Sequence, residues 1–499
     1  MASAGRFSES LAAHAIFVLG VAALAFALPA KATALIDSRT GLAIGIVGAW
    51  RYSWGVLHYL RSIVYRAWVY PRMRAHAYAA GIVERPSYFL VTSFRIPAEV
   101  SERVYTAAFE AALAAPGPAT VVASIVDLSD QRLVQRVFRE TVGGETKVAL
   151  IVDRIPGTGK RDALAHGFRT IAHLLPPPEA MVSVIDGDSI VPRDLVARCA
   201  PFFHDPRVGA LTTDERAEVR GSELFRQWYS LRFAQRHILM SSMGLSRRVL
   251  TLTGRMSMFR ADIVCDPDFV AMVESDFLDH PRFGRFRFLT GDDKSSWFFV
   301  LGRGYHMLYV PDVSVATVED PPSEAFLQSA AMLMVRWYGN MLRTNERALR
   351  LGPRRVGAFV WWAILDQRLS MWTCLFGLTT ATLATLFISP FAILVYLVWI
   401  LASRYAQTLL LLSARPTVSV AYPFLLYFNQ IYGSLMKTYV FFRLNRQKWT
   451  RQKTTLASAF SRRSQRFLDL ESHLYHAAAG GALVVVCSWL LGLTSLAAL

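Results

Sequence analysis

Two aspartates stand side by side in "LTGDDKSSW", Leu289 to Trp297, after a glycine and before Lys294. Adjacent carboxylates repel, so Asp292 and Asp293 gain nothing for folding from their adjacency. A solvated turn, a metal site and a catalytic base are the three readings open to them. A second acidic pair, Asp186 and Asp188, lies in "VSVIDGDSIV", Val182 to Val191, with one glycine between. Carboxylates two apart on a turn can approach a hard divalent cation that also bridges two phosphates. "GTGKRDALAHGF", Gly157 to Phe168, offers glycines and then Lys160 and Arg161 ahead of a helix. It is not a Walker A loop, because the spacing is wrong and no Ser or Thr follows the lysine. Its basic pair suits a diphosphate and a solvated helix start equally well. In "LMVRWYGNMLR", Leu333 to Arg343, Arg336 adjoins Trp337. A guanidinium fork can clamp a pyrophosphate, and an indole can stack on the apolar face of a sugar.

These residues need a scaffold, and the region from about Ser87 to Pro322 supplies one. "SYFLVTS", "ATVVASIVD", "TKVALIVD" and "AMVSVID" read as buried parallel strands alternating with helical stretches. Such alternation predicts an α/β domain with a mostly parallel sheet, whose ligands sit beyond the carboxyl ends of the strands. Asp127, Asp153 and Asp186 close three of these runs; Asp153 is read as strand-end punctuation only. Asp127, at the end of the second strand, stands on that carboxyl-end rim as a nucleotide-binding candidate, with Asp130 its rival.

The flanks are of a different kind. Over the 499 residues, 53% are hydrophobic and only 18% charged, with a net charge of +17. The basic residues gather beside apolar runs, as in Arg61 to Arg74, Arg343 to Arg355 and Arg443 to Arg466. That is the positive-inside pattern of a membrane protein, and no nucleic-acid module accompanies the charge. Runs near Leu11 to Ala30 and Leu42 to Leu60 read as two spanning helices, the first uncleaved. "VGAFVWWAILDQRLSMW" reads as an interface segment broken by Asp366, Gln367 and Arg368, leading into a span from Leu369 to Ile388. Pro390 marks a reversal, and another run reaches Leu412. The aromatic stretch after Val418 reads as interfacial, which keeps the basic loop from Arg443 cytoplasmic, and Ala477 to Leu499 is a last span. Five spans are thus expected, with the organisation 1–75, 76–342, 343–442, 443–476 and 477–499. Arg51 and Arg404 fall inside spanning runs, where a charge usually faces a cavity or a partner; lining a conduit and snorkelling to the headgroups are both open. Cys199, Cys265, Cys374 and Cys487 lack metal or disulfide spacing.

In this order, strand-end Asp, Gly-Lys-Arg, D-G-D, G-D-D and R-W framed by membrane helices, the chain resembles the processive, membrane-embedded family-2 glycosyltransferases, the cellulose, chitin and hyaluronan synthases among them. Within that family, "TGDDKSSWFFVLGRGYHMLYVPD" and "RWYGNMLRTN" are most similar to the alginate-polymerising branch, the mannuronan synthases. The resemblance implies a GT-A domain inserted between transmembrane helices, a divalent cation (Mg2+ or Mn2+) at Asp186 and Asp188, and no organic cofactor. It implies Asp293 as general base, with Asp292 and Lys294 in support. Lys160, Arg161, Asp186 and Arg336 would bind the donor diphosphate, and Trp337, Gly254 and Arg255 the acceptor. "KWTRQ", with Lys448, Trp449 and Arg451, looks like the gating loop that closes over nucleotide. The chain departs from the family's Q-x-x-R-W motif, because Leu333 stands at the glutamine position. The implied partners are GDP-mannuronate, the growing polymannuronate, the bilayer of the bacterial inner membrane, a cyclic-di-GMP-binding copolymerase subunit and periplasmic export or modification proteins. A UDP-sugar synthase and a non-catalytic export subunit are the competing readings.

Overall fold

The structure is a computed structural model that describes residues 2–29, 32, 39–81, 84–447 and 462–494. At its centre eight strands form one sheet: β1 (Ser87–Thr92), β2 (Ala119–Ile125), β3 (Val148–Arg154), β4 (Met181–Asp186), β5 (Ser189–Ile190), β6 (Val208–Val219), β7 (Met256–Arg260) and β10 (His306–Glu319). Their order across the sheet is β3-β2-β1-β4-β7-β6-β10-β5. A separate hairpin pairs β8 (Phe277–His280) with β9 (Gly284–Arg287). Strands β3, β2, β1 and β4 run parallel, as their apolar runs predict. All six residues of β1 are buried, which is why its run lacks alternation. β3 differs from expectation: it is the edge strand, so most of its run is only half-buried. Beyond β4 the sheet continues through the antiparallel β7 to β6 and β10, which are parallel to each other.

The helices that frame the site and the membrane region are α1 (Ala2–Phe26), α2 (Arg39–Val64), α3 (Lys160–His173), α4 (Glu223–Gly244), α5 (Asp292–Arg303), α6 (Phe326–Arg350), α7 (Ala358–Phe387), α8 (Ala392–Leu410), α9 (Tyr422–Phe441) and α10 (Arg462–Leu490). Among the described residues three helical stretches are long and apolar enough to cross a membrane: Ala358–Phe387, Ala392–Ser413 and Ser464–Leu490; Leu11–Phe26 is a shorter apolar helix. These helices present Leu386, Phe387, Trp399 and Val486 outward, as lipid-facing surfaces do.

The polar triplet at 366–368 does not break α7, which runs unbroken for 30 residues. Each member finds a partner on a neighbouring helix, so the helix loses nothing by continuing. Asp366 pairs with Arg51 of α2, Gln367 accepts from Asn345 Nδ2 at 2.7 Å, and Arg368 donates to Leu342 O at 3.1 Å. Arg51 therefore has its charge offset within the protein, and Arg404 donates to Gln430 of α9. Neither arginine is simply a free lining group of a conduit. α9 packs against α6, α7 and α8 and so ties the long apolar helices to the α/β domain.

Candidate active site

The carboxyl ends of β1 and β4, the starts of α3 and α5, and one face of α6 surround a cleft of about 720 Å³. Glycines make its tight approaches. A Cβ on Gly187, between the two D-G-D aspartates, would lie 2.7 Å from Thr92 O and Ser93 Oγ, so only glycine lets this turn close on the end of β1. Gly291 has φ of +89° and caps α5, placing Asp292 and Asp293 in the first helical turn. There the helix dipole favours negative charge, which is one reason a doubled acid is tolerated.

Asp186 ends β4, and its amide donates to Arg255 O at 3.2 Å, which draws the loop before β7 against it. Lys160, at the start of α3, reaches Asp186 Oδ1 at 2.5 Å and Asp292 Oδ2 at 3.2 Å. Burial alone would lower this ammonium, but Asp186 and then Asp292 hold it above the ordinary lysine range. Burial pushes the Asp186 carboxyl up to about 6, against the pull of Lys160. The two adjacent aspartates part company. Burial would raise Asp292 as well, yet Lys160 and then Arg161 outweigh it and keep that carboxylate below its usual range. Asp293 is raised, first by burial and then by the charge of Asp292. One acid of the pair is thus locked as an anion in an ion pair, while its neighbour is the more basic carboxylate facing the cleft.

Asp186, Asp188, Lys160, Gly254, Arg255, Asp292, Asp293, Arg336 and Trp337 all line this cleft, as does Leu333 at the position where the family motif has glutamine. A Cβ on Gly254 would sit 2.9 Å from Lys160 Nζ and 3.1 Å from Asp186 Oδ2. Gly254→Ala must therefore shift the lysine–aspartate pair. Since ångström misplacements at a reacting centre can cost up to ~10²-fold, we expect a rise in donor KM and a fall in rate without loss of thermal stability. Wild-type donor kinetics in this variant would show that the pair tolerates displacement.

Other positions differ from the sequence expectation. Arg161 also lines the cleft, but its guanidinium is buried against the G-D-D turn, donating to Val273 O at 2.7 Å, Thr290 O at 3.1 Å and Ser295 Oγ at 3.1 Å. It positions the turn. Arg255 is held by Glu215 at 3.1 Å and Glu319 at 2.5 Å, so its charge is already neutralised. Lys294 is directed away from the cleft, donating to Leu250 O at 2.7 Å beside the Trp297 ring; burial lowers its ammonium to about 8. Asp127 is exposed just past Val126, which does line the cleft, and Asp130 is half-buried one helical turn on. Asp153 bonds His166 and Thr170, as suits a structural strand end. Lys448, Trp449 and Arg451 lie outside the described residues.

Three groups absent from the sequence expectation complete the support. Asn340 accepts from Thr290 Oγ1 at 2.7 Å and from Arg343 Nη2 at 2.8 Å, and it packs on Gly291. It follows Arg336 by four residues, a helical spacing that could have revealed it. Gln447 accepts from Leu289 N at 3.0 Å and donates to Arg287 O at 2.8 Å, gripping the backbone that enters the G-D-D turn. Asp276 accepts from Ser295 Oγ at 2.5 Å and from Arg347 at 2.6 and 2.8 Å. Among the described residues no group of three or more His, Cys, Asp or Glu side chains gathers as a metal cage. Asp186 and Asp188, whose carboxylates are hard oxygen donors on the cleft wall, are the residues that would hold a divalent cation here.

A basic clamp, a strand-end acidic pair and a raised carboxylate in one cleft with an indole suit transfer from a diphosphate-activated donor. Residues 85–340 match the family model described as glycosyltransferase like family 2. The chain belongs to that family. Over 440 residues this glycosyltransferase is 49% identical to a protein of Pseudomonas syringae pv. tomato named glycosyltransferase alg8, covering 87% of this chain and 88% of that one. It is 45% identical over 444 residues to the protein of the same name from Azotobacter vinelandii, covering 88% and 90%. Among solved structures it is similar to the mannosyltransferase PcManGT of Pyrobaculum calidifontis in complex with GDP-Man and Mn2+. The identity there is 16% and the TM-score 0.45, over 77% of this chain and 98% of that one. The G-D-D and R-W stretches thus belong to a likeness that runs through most of the glycosyltransferase.

Proposed function

We propose that this glycosyltransferase polymerises mannuronate from GDP-mannuronate into β-1,4-linked polymannuronate, the alginate precursor, and feeds it across the bacterial inner membrane. The observation that carries the reaction is that Lys160 holds Asp292 in an ion pair at 3.2 Å while Asp293, beside it, lines the cleft without that partner. The likeness to the alg8-named proteins over nearly the whole chain supports mannuronate as the sugar.

Asp293 takes the proton from the acceptor's 4-hydroxyl. The oxygen so released bonds to C1 of the donor as the C1–O bond to GDP breaks, inverting the anomeric centre. The departing electron pair stays on the diphosphate. Arg336 faces that leaving group, Lys160 keeps Asp186 and Asp292 oriented, and Trp337 supports the acceptor ring. A divalent cation bound at Asp188 and Asp186 would supply charge against the diphosphate. The basic clusters flanking the apolar helices support a catalytic domain on the cytoplasmic side.

The test is to incubate the detergent-purified chain separately with labelled GDP-mannuronate, UDP-glucose and UDP-N-acetylglucosamine. Polymer is expected from the first alone. Incorporation from a UDP-sugar would move the chain to a hyaluronan-, chitin- or cellulose-like synthase, and transfer from none would favour an export role.

A further inference from the structure

Helix α4 carries three arginines, Arg226, Arg232 and Arg236, and they are not equivalent. Arg226 pairs with Glu223 at 2.7 Å and Arg236 with Glu215 at 3.3 Å. Arg232, between them and half-buried, has no ion pair or hydrogen bond among the described residues. Its guanidinium instead lies 4.1 Å from the centroid of the Trp337 ring and 5.0 Å from that of Trp228, and these two indoles stack with centroids 5.8 Å apart. Trp337 lines the cleft; Trp228 is fully buried and is fixed by donating to Asn429 Oδ1 at 2.7 Å. Arg255, which lines the cleft, is by contrast ion-paired with two glutamates.

A guanidinium held against aromatic faces is stiffened and partly desolvated, but its fork of donors is not consumed. Such a group at a sugar-binding ring lacks one thing, a planar anion, and a carboxylate meets that geometry with two parallel hydrogen bonds. We infer that Arg232, held against Trp337 and Trp228, reads the C5 carboxylate of the acceptor's uronate residues and so makes the site selective for a uronic-acid chain. The inference deepens the proposed function and rests on it. When the terminal sugar lies on Trp337, its carboxylate projects from the ring edge. Arg232, half-buried and 4.1 Å from the centroid of the same indole, is the cation this carboxylate would meet. Neutral sugar chains offer no such group, and they leave the cation where it stands.

The experiment uses the full chain in detergent with GDP-mannuronate as donor and two acceptor sets: mannuronate oligomers, and the same oligomers with every carboxylate reduced to a primary alcohol. The wild type should favour the uronate set about tenfold in acceptor KM, in line with one charge-assisted hydrogen-bonded pair. Arg232→Met keeps the apolar stem on the indoles and should raise KM for the uronate set to that of the reduced set. Arg232→Lys should retain part of the preference. Unchanged GDP affinity of both variants by calorimetry shows that they fold. An Arg232→Met protein that keeps the wild-type preference overturns the inference. Failure of the wild type to elongate mannuronate oligomers removes the underlying donor reading, and the inference with it.

Discussion

An Asp293→Asn protein is expected to fold, to bind donor as the wild type does, and to elongate polymer about 10²–10⁴-fold more slowly, the usual worth of a positioned general base. The amide keeps the volume and the place of the side chain at the start of α5 but cannot take the acceptor proton. The variant also keeps Asp292 and its 3.2 Å contact with Lys160, so the donor side of the cleft is undisturbed. Equilibrium binding of GDP and single-turnover transfer separate the two effects. Substantial synthesis by this variant would take Asp293 out of the base role. The same role fixes the sign of the pH dependence. The base works only when deprotonated, and burial followed by Asp292 raises its pKa above the ordinary carboxylate range. The wild-type rate should therefore fall on acidification at a higher pH than an ordinary carboxylate would impose, and that acid limb should be missing from the residual activity of Asp293→Asn.

The parts of this site that are legible in the sequence are those encoded over a few consecutive residues. D-G-D and G-D-D announce themselves because their glycines and acids adjoin, and the reasons are local: Gly187 admits the end of β1, and Gly291 turns the chain into α5. Of the four parallel strands, β1, β2 and β4 are legible because a strand buried on both faces must be a continuous apolar run, whereas β3 keeps such a run at the sheet edge. What resists reading is set by contacts distant in sequence. Nothing near Arg161 tells that its guanidinium is absorbed by Val273, Thr290 and Ser295, more than a hundred residues away. The Gly-Lys-Arg element therefore reads as two alike cations, whereas Lys160 joins two cleft acids and Arg161 is also a beam beneath the turn. Arg255 misleads for the same reason, since Glu215 and Glu319 come from β6 and β10, two strands whose mixed polarity hides them from a search for apolar runs. The polar triplet in α7 shows the converse. Asp366 looks like a helix breaker in a membrane segment only because Arg51 lies 315 residues earlier.

That beam under the catalytic turn carries the second large effect. Asp276 is 4% exposed and sits between the buried Arg161 and the half-buried Arg347. It accepts two bonds from Arg347, at 2.6 and 2.8 Å, and one from Ser295 Oγ, which in turn accepts from Arg161 at 3.1 Å. Arg347 is further enclosed by Phe288 and Phe298, so water cannot easily replace a lost carboxylate. Asp276→Ala should therefore destabilise the folded protein by ~3–5 kcal/mol, the range for removing one partner of a buried pair. Most of that cost is the desolvated guanidinium left behind, which gives a sharper test. Adding Arg347→Met removes the stranded charge, and the double variant should recover a good part of the loss in thermal-unfolding and urea measurements in detergent. Activity should not recover with it. Ser295, Arg161 and hence the G-D-D turn would still lack their shared anchor, so the restored protein should remain slow with unchanged affinity for GDP. Equal stability of Asp276→Ala and wild type, or full activity in the double variant, would show that the turn is held by Asn340 and Gln447 alone.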